Sequence, residues 1–320
     1  MIRFIDEHQE RRTLDGLRWG VEPICRTLQF APQTYYAAKS RPPSERSVRD
    51  EALKPEILRV WKENYRVYGA PKIWTQLNRE NIRVARCTVE RLMPQLGIRG
   101  TTRGANPATT RSRAGDSRPE DLLDRDFGAE APNTKWVADF TYVRTRSGFC
   151  YVAFVIDCYA RMIVGWSAST SMRTDLVLTA LEQAIWARLQ RPRMPRRVPN
   201  GSLVMAAQAE ARLIHHSDAG SQYLSIAHTE KLAQAGIDPS VGSVGDSYDN
   251  ALAESIIGLY KTELVYNLGP WNGLTNLEWA TLEYVDWFNH RRLMGKTPPV
   301  EREEKYYRQK SLTSTEPPKS

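Results

Sequence analysis

KWVADFTYV (135–143), FCYVAFVID (149–157) and RMIVGWSAS (161–169) decide the fold of this chain. Each run is rich in β-branched and aromatic residues, and turn signals at Arg146 to Gly148 and at Cys158 to Arg161 separate them. That pattern predicts three strands in an antiparallel meander. Downstream, the spacing predicts a helix over Thr174 to Gln190 and an Arg- and Pro-rich loop (RPRMPRRVPNGS). There follow a fourth strand in LIHHSD (213–218), a helix over Ile226 to Ala235, a short fifth strand over Asp238 to Val241, and a helix from near Ser247 to Leu264. The order βββαβαβα describes an α/β fold, a mixed five-stranded sheet with flanking helices. No internal repeat interrupts it.

Upstream of Pro132 the texture is helical. VEPICRTLQF and APQTYYAAK read as two short helices, the second opening at Pro32, in a helix-turn-helix-like pair. RPPS near Ser40 to Ser44 breaks the chain. Three further helices are expected over Asp50 to Tyr65, Ala70 to Glu80 with Ile73, Trp74 and Leu77 on one stripe, and Arg86 to Leu96 ending at Gly97. Residues Gly100 to Arg118 lack periodicity and read as a flexible basic linker. The expected organisation is a helical segment over 1–45, a helix-turn-helix DNA-binding domain over 46–100, a linker over 101–130, the α/β core over 131–300 and a C-terminal tail over 301–320.

At 320 residues the chain exceeds one ordinary hydrophobic core, in keeping with more than one domain. No apolar run approaches the roughly 18 to 20 residues of a membrane span, and the charged start MIRFIDEHQERR has no signal-peptide core, so a cytoplasmic location is expected. Cys25, Cys87, Cys150 and Cys158 show neither zinc nor disulfide spacing and are expected as reduced, mostly buried thiols. The net charge of +8 is localised: Lys39 to Arg113 holds 17 Lys and Arg against 7 Asp and Glu, or +10, leaving −2 for everything else. Such a segment is an electrostatic footprint for a polyanion or, more plainly, a solvated helical face. Arg83, Arg86, Arg91 and Arg99, gathered around the third helix, favour DNA contact.

Three acids carry the chemistry. Asp139 interrupts the apolar first strand, where Asp is disfavoured. Asp218 ends the fourth strand, at the carboxyl edge where α/β sheets gather ligand groups. Glu254 falls one to two turns into the late helix. Taken singly, these read more readily as a satisfied strand residue, a helix cap and a solvated helix residue. If the first and fourth strands are neighbours under that helix, the carboxylates converge, and repelling like charges call for a cation. Oxygen ligands select magnesium or manganese, and two ions roughly 4 Å apart suit phosphodiester chemistry. Asp157, Asp246 and Asp249 compete as acids but suit turns and helix entry. Asn250, Glu254 and Lys261 lie four and seven positions apart, on one helical face. P-loop, GxSxG and HExxH motifs are missing, which excludes ATP use, acyl transfer and zinc proteolysis by those routes.

PNTKWVADFTYV, YVAFVIDCYARMIVGW, LIHHSDAGSQY and SVGDSYDNALAESIIGLYKTEL, with EYVDWFNHRR and TPPVE near the end, resemble the retroviral integrase-like core of IS3-family insertion-sequence transposases. Between Asp218 and Glu254 lie 254 − 218 − 1 = 35 residues, the spacing of that family's Asp, Asp, Glu signature. VYGAPKIW and ARCTVERLMPQLGIRG look like the helix-turn-helix preceding the core in second-frame products, so the resemblance runs from about Phe4 to Tyr307. It implies a ribonuclease H-like fold and Asp139, Asp218 and Glu254 as ligands of two magnesium or manganese ions. It implies cleavage and transfer of DNA strands without a covalent protein intermediate. It also implies Asn250 and Lys261 near the reacting DNA end.

Implied partners are the element's terminal inverted repeats, target DNA, further copies of the chain in a synaptic complex, and a first-frame protein or fusion; Met1 can equally be an internal position of such a fusion. The sequence departs from the family in having Ala219 where a basic residue is usual, and in a more charged tail. A non-catalytic DNA-binding regulator of transposition and a metal-dependent nuclease are the alternatives on the same residues.

Overall fold

Strand β1 (Lys135–Thr145) forms the centre of the sheet, and every element that matters to the acids is placed relative to it. The structure is a computed structural model that describes residues 1–102, 128–190, 196–197, 203–204, 213–218, 222–241 and 250–313. It divides into two compact units, Met1–Leu58 and Arg59–Ser320.

In the first unit, α1 (Ile2–His8), α2 (Val21–Thr27) and α3 (Pro32–Ser40) enclose a small core of Ile5, Ile24, Cys25 and Tyr35. The two helices expected here are α2 and α3. α1 escapes a periodicity reading because seven residues with one buried side chain carry almost no amphipathic signal. Tyr35 fastens it by donating its hydroxyl proton to Asp6 at 2.8 Å. α4 (Glu45–Glu63) starts a turn earlier than expected, since the Ser44 hydroxyl accepts the Ser47 amide at 3.2 Å and serves as a cap.

The second unit begins inside α4 and contains α5 (Ala70–Arg79) and α6 (Arg86–Gln95). Ile73 and Leu77 are buried as expected, and the Trp74 indole donates to the Val84 carbonyl at 2.9 Å, fixing the turn into α6. Gly97, at φ +66, ends α6 in the left-handed conformation that suits glycine.

The sheet follows. β2 (Gly148–Asp157) and β3 (Ile163–Ser169) run antiparallel beside β1, while β6 (Ile214–Ser217) and β7 (Asp238–Val241) lie parallel to it, in the order β3-β2-β1-β6-β7. This is the mixed, ribonuclease H-like sheet that the sequence implies. α7 (Thr174–Ile185) covers one face, with Leu176, Val177, Ala180, Leu181 and Ala184 packed on Ala138, Val155 and Val164. Gly165 permits the close approach, because a Cβ there would lie 2.1 Å from the Ala180 carbonyl oxygen. After the π-helical turn Trp186–Gln190 come β4 (Arg196–Arg197) and β5 (Leu203–Val204), a two-residue ladder inside the stretch expected to be loop. α8 (Ile226–Gln234) joins β6 to β7.

α9 (Ala251–Tyr260), a π-helical segment Lys261–Val265 and α10 (Tyr266–Leu268) follow one another directly. α11 (Leu274–His290), unread by periodicity, completes the core: Tyr284, Trp287 and Phe288 are buried, and the Asn289 side chain substitutes for a strand on the edge of β3, accepting the Ile163 amide at 2.9 Å and donating to its carbonyl at 2.8 Å. The stretch from 301, expected as a tail, is helical as far as Thr313 in α12 (Pro299–Thr313). Its charges have partners: Glu303 pairs with Arg188 at 2.8 Å, and Tyr306 packs edge-on to Tyr159. α12 and α11 also hold the helices after Arg59. The Trp287 indole donates to Asn64 at 3.0 Å, the Leu293 amide to the Tyr68 hydroxyl at 2.8 Å, and Arg79 pairs with Glu301. The linker expected over 101–130 lies mostly outside the described residues. Three of the four cysteines are buried and Cys87 is exposed. Among the described residues no helix is long and apolar enough to cross a membrane.

Candidate active site

Register decides where the acids meet. β1 pairs in parallel with β6 up to Ala138 opposite Ser217, so the residues that follow, Asp139 and Asp218, leave the ladder side by side, and the charge of Asp218 is felt at Asp139. On its other side Asp139 is paired with Phe154 of β2, whose ring meets Tyr260 of α9 with centroids 5.0 Å apart. Strand partners share a face, so α9 lies on the face of Asp139, opposite α7.

Two anchors fix α9 and therefore Glu254. At its start, Asn250 is 1% exposed and its side-chain amide donates to the Ala138 carbonyl at 3.0 Å. At its end, the Tyr260 hydroxyl shares a hydrogen bond with Thr281 of α11 at 2.8 Å. Glu254 and Asp218 are exposed and Asp139 is half-buried, so the cluster opens to solvent. Burial raises the Asp139 carboxyl well above the usual carboxylate range; the charges of Asp218 and Glu254 push the same way, against the Phe140 amide, which donates to Asp139 at 2.7 Å, and the Lys261 ammonium. The Lys261 pKa is lowered by burial, which the Asp139 charge opposes.

The charges of Asp218 and Glu254 are thus both felt at Asp139. Among the described residues no group of three or more His, Cys, Asp or Glu side chains is already arranged to hold a metal ion. The donor set fits a hard divalent cation: oxygen ligands only, and a repulsion at Asp139 that a cation would relieve.

The other candidate residues meet their expectations unevenly. Asn250, expected at DNA, is buried and spent on the backbone next to Asp139. Asp157 is fully buried and accepts the Asn133 amide at 2.7 Å and the Ala160 amide at 2.8 Å, a turn residue as expected. Asp246, Asp249 and Ala219 lie outside the described residues. Arg83 and Arg99 are exposed, Arg86 is exposed and ion-paired with Glu90 at 2.8 Å, and Arg91 is half-buried.

Sequence reasoning missed a buried ring cluster behind the acids. His215 of β6 and His228 of α8 have centroids 5.3 Å apart, Tyr223 lies 5.5 Å from His228, and Phe140 of β1 lies 6.3 Å from Tyr223. LIHHSDAGSQY holds two of these residues, but His228 enters only through the fold. Burial holds His215 down to about 3 and His228 to about 4, so both are neutral.

Known proteins resemble this chain along most of its length. Integrase core domain models fit residues 129–247 and 254–312, and an HTH-like domain model fits 48–106. A protein of Mycobacterium tuberculosis assigned to insertion sequence element IS986/IS6110 is 54% identical over 286 residues, 88% of this chain and 98% of that one. The transposase for insertion sequence element IS629 of Shigella sonnei is 50% identical over 304 residues, 92% of this chain and 95% of its own length. The chain belongs to the insertion-sequence transposases. The integrase core of this transposase is thus the sheet with α7 to α12, and its HTH-like region is α4 to α6. Among solved structures, the HTLV-2 integrase catalytic core domain in complex with magnesium resembles 55% of the chain over 99% of its own, at 17% identity and a TM-score of 0.40.

Proposed function

We propose that the transposase cleaves and joins DNA strands with two divalent ions, magnesium or manganese, held by Asp139, Asp218 and Glu254. The observation that supports this most directly is the β1–β6 register, which sets Asp139 next to Asp218 under the helix that carries Glu254. Bound there, the ions supply Lewis acidity at a phosphodiester and a water or 3′-hydroxyl activated as nucleophile. Asp139 presents oxygen donors from β1 and Asp218 from the residue after β6, and Glu254 adds a third from a helix whose ends are both tied to its surroundings. Lys261 brings an ammonium to the same point, suited to a phosphate next to the reacting one.

Arg83, Arg86, Arg91 and Arg99 neutralise backbone phosphates of the element's terminal repeats and of target DNA, releasing counterions. Joining two element ends to a target calls for more than one copy of the chain, with a first-frame protein as the further partner, and the work is done in the cytoplasm, where the DNA is. The test is a cleavage and strand-transfer assay on a labelled element-end duplex, with magnesium or manganese against chelator, for the wild type and Glu254→Gln. Metal-dependent joined products that vanish in the variant are expected. Joining that persists in Glu254→Gln would overturn the assignment, and hydrolysed ends without joined products would make the protein a nuclease.

A further inference from the structure

Beyond the carboxylates, β1 carries an aromatic surface that no step of this chemistry uses. Tyr142 and Phe149 are 49% and 52% exposed, although both lie on central strands, and their rings meet edge to face with centroids 5.7 Å apart. Large aromatic rings left in water beside each other forgo burial that the fold could have supplied. The surface is also cationic: the Lys261 ammonium stands over the Tyr142 ring, 5.1 Å from its centroid, and exposed Arg144 is the cross-strand partner of Phe149. Tyr142 lies three residues beyond Asp139, about 10 Å along the strand and, by strand alternation, on its other face, and Lys261 connects the two, its ammonium over the Tyr142 ring and within the field of Asp139.

We propose that Tyr142, buttressed by Phe149 and flanked by Lys261 and Arg144, is a stacking platform for one unpaired base of the DNA strand that reaches the carboxylates. Rings with open faces beside ammonium and guanidinium groups are how proteins hold single-stranded nucleic acid without reading its sequence: the ring takes the base and the cations take the phosphates. Lys261 is the hinge of the arrangement, since one ammonium lies over the ring and within the field of Asp139. As a base slides onto Tyr142, that ammonium moves to the phosphate of the same nucleotide. The charge of the surface argues for a nucleotide as occupant over a second protein, whose apolar patch would gain nothing from Lys261 and Arg144. The proposal rests on DNA being acted on at Asp139.

The experiment compares full-length protein on two labelled element-end DNAs by fluorescence anisotropy: a blunt duplex, and the same duplex with three unpaired thymidines at the reacting end. The expected result is tighter binding of the unpaired DNA by about tenfold, equivalent to about 1.4 kcal/mol. This preference should be lost in Tyr142→Ala, reduced in Phe149→Ala and kept in Tyr142→Trp, with blunt-duplex binding equal in all four proteins. With 5-iododeoxyuridine in place of the thymidines, irradiation should crosslink the DNA at Tyr142. A preference that survives Tyr142→Ala, or a crosslink confined to other residues, would overturn the platform. So would loss of self-association in Tyr142→Ala without loss of the preference, which would make the surface a contact between copies. Preference and crosslink do not depend on cleavage, so their presence alongside metal-independent or absent joining would overturn the metal assignment and leave the platform standing.

Discussion

Asn250 hangs from β1 by one hydrogen bond, its amide on the carbonyl oxygen of Ala138 at 3.0 Å, and so links the residue before Asp139 to the helix that carries Glu254 four positions later. A bond at that place sets the separation of the two acids proposed to be catalytic more than it sets stability. Asn250→Ala should therefore cost about 1–2 kcal/mol of stability, as for a lost buried hydrogen bond, while joining falls at least tenfold at saturating metal. Denaturant melts read the first quantity and strand-transfer rates the second. A rate loss no larger than the loss of folded protein would remove the positioning role.

The acids make a second prediction, on stability without chemistry. Because burial and two neighbouring charges raise the Asp139 carboxyl, its ionised form opposes folding at neutral pH in the absence of metal. Asp139→Asn should raise the metal-free Tm by roughly 2–4 °C, the shift that about 1 kcal/mol produces in a domain of this size. Metal should reverse the order. At a hundredfold excess over Kd, manganese should stabilise the wild type by about 2.7 kcal/mol and leave Asp139→Asn unmoved. Equal manganese shifts in both proteins would show that the ion binds elsewhere.

Acid should loosen the fold through His215 and His228. Both are held neutral, near 3 and 4, against about 6.5 in an unfolded chain. Between about pH 6.5 and 4 the unfolded chain binds protons that the folded chain refuses, so stability is complete above 6.5 and declines as pH falls, by roughly 1–2 kcal/mol for each histidine at pH 5. Neither ring nitrogen of His228 has a hydrogen-bond partner among the described residues, so His228→Phe should be nearly neutral at pH 7.5. Its melts should be less acid-sensitive than the wild type; parallel pH curves would discard the histidine.

The π-helical segment after α9 buries Glu263, which accepts from Arg292 Nε at 2.7 Å and Nη2 at 2.5 Å and from the Tyr284 hydroxyl at 3.1 Å. Removing one partner leaves a charge without its mate in the interior. Arg292→Met should cost about 3–5 kcal/mol, and Glu263→Gln in the same protein should recover part of it. Urea melts of the two variants check this, and additive losses would rule out coupling.

Much of this molecule is legible in its sequence, for identifiable reasons. Strands β1 to β3 announce themselves because β-branched and aromatic runs end at turn residues, and the 35-residue spacing from Asp218 to Glu254 sets both acids in a known pattern. Register is not legible: that Ala138 faces Ser217, and hence that Asp139 meets Asp218, is a long-range pairing. The same holds for Asn250. Spacing sets it on one helical face with Glu254 and Lys261, but position 250 is the residue before α9 begins, where the chain turns inward. α11 and α12 were hidden by composition, since charged residues alternate with the aromatic ones that the core takes up, and Asn289 works only against a particular strand edge.

The hydrogen bonds from Trp287 to Asn64 and from Leu293 to Tyr68, with the Arg79–Glu301 pair, have a consequence for the DNA proposed to bind here. They weld α5 and α6 to the body that carries Asp139, which makes the protein a caliper of fixed span. On the proposed function, a duplex gripped along Arg83 to Arg99 would offer the carboxylates whichever phosphate lies one set length away. Inserting a base pair between grip and cut rotates that phosphate by about a tenth of a turn and shifts it by about 3.4 Å. The caliper cannot follow, so the phasing of an element's end becomes part of its address.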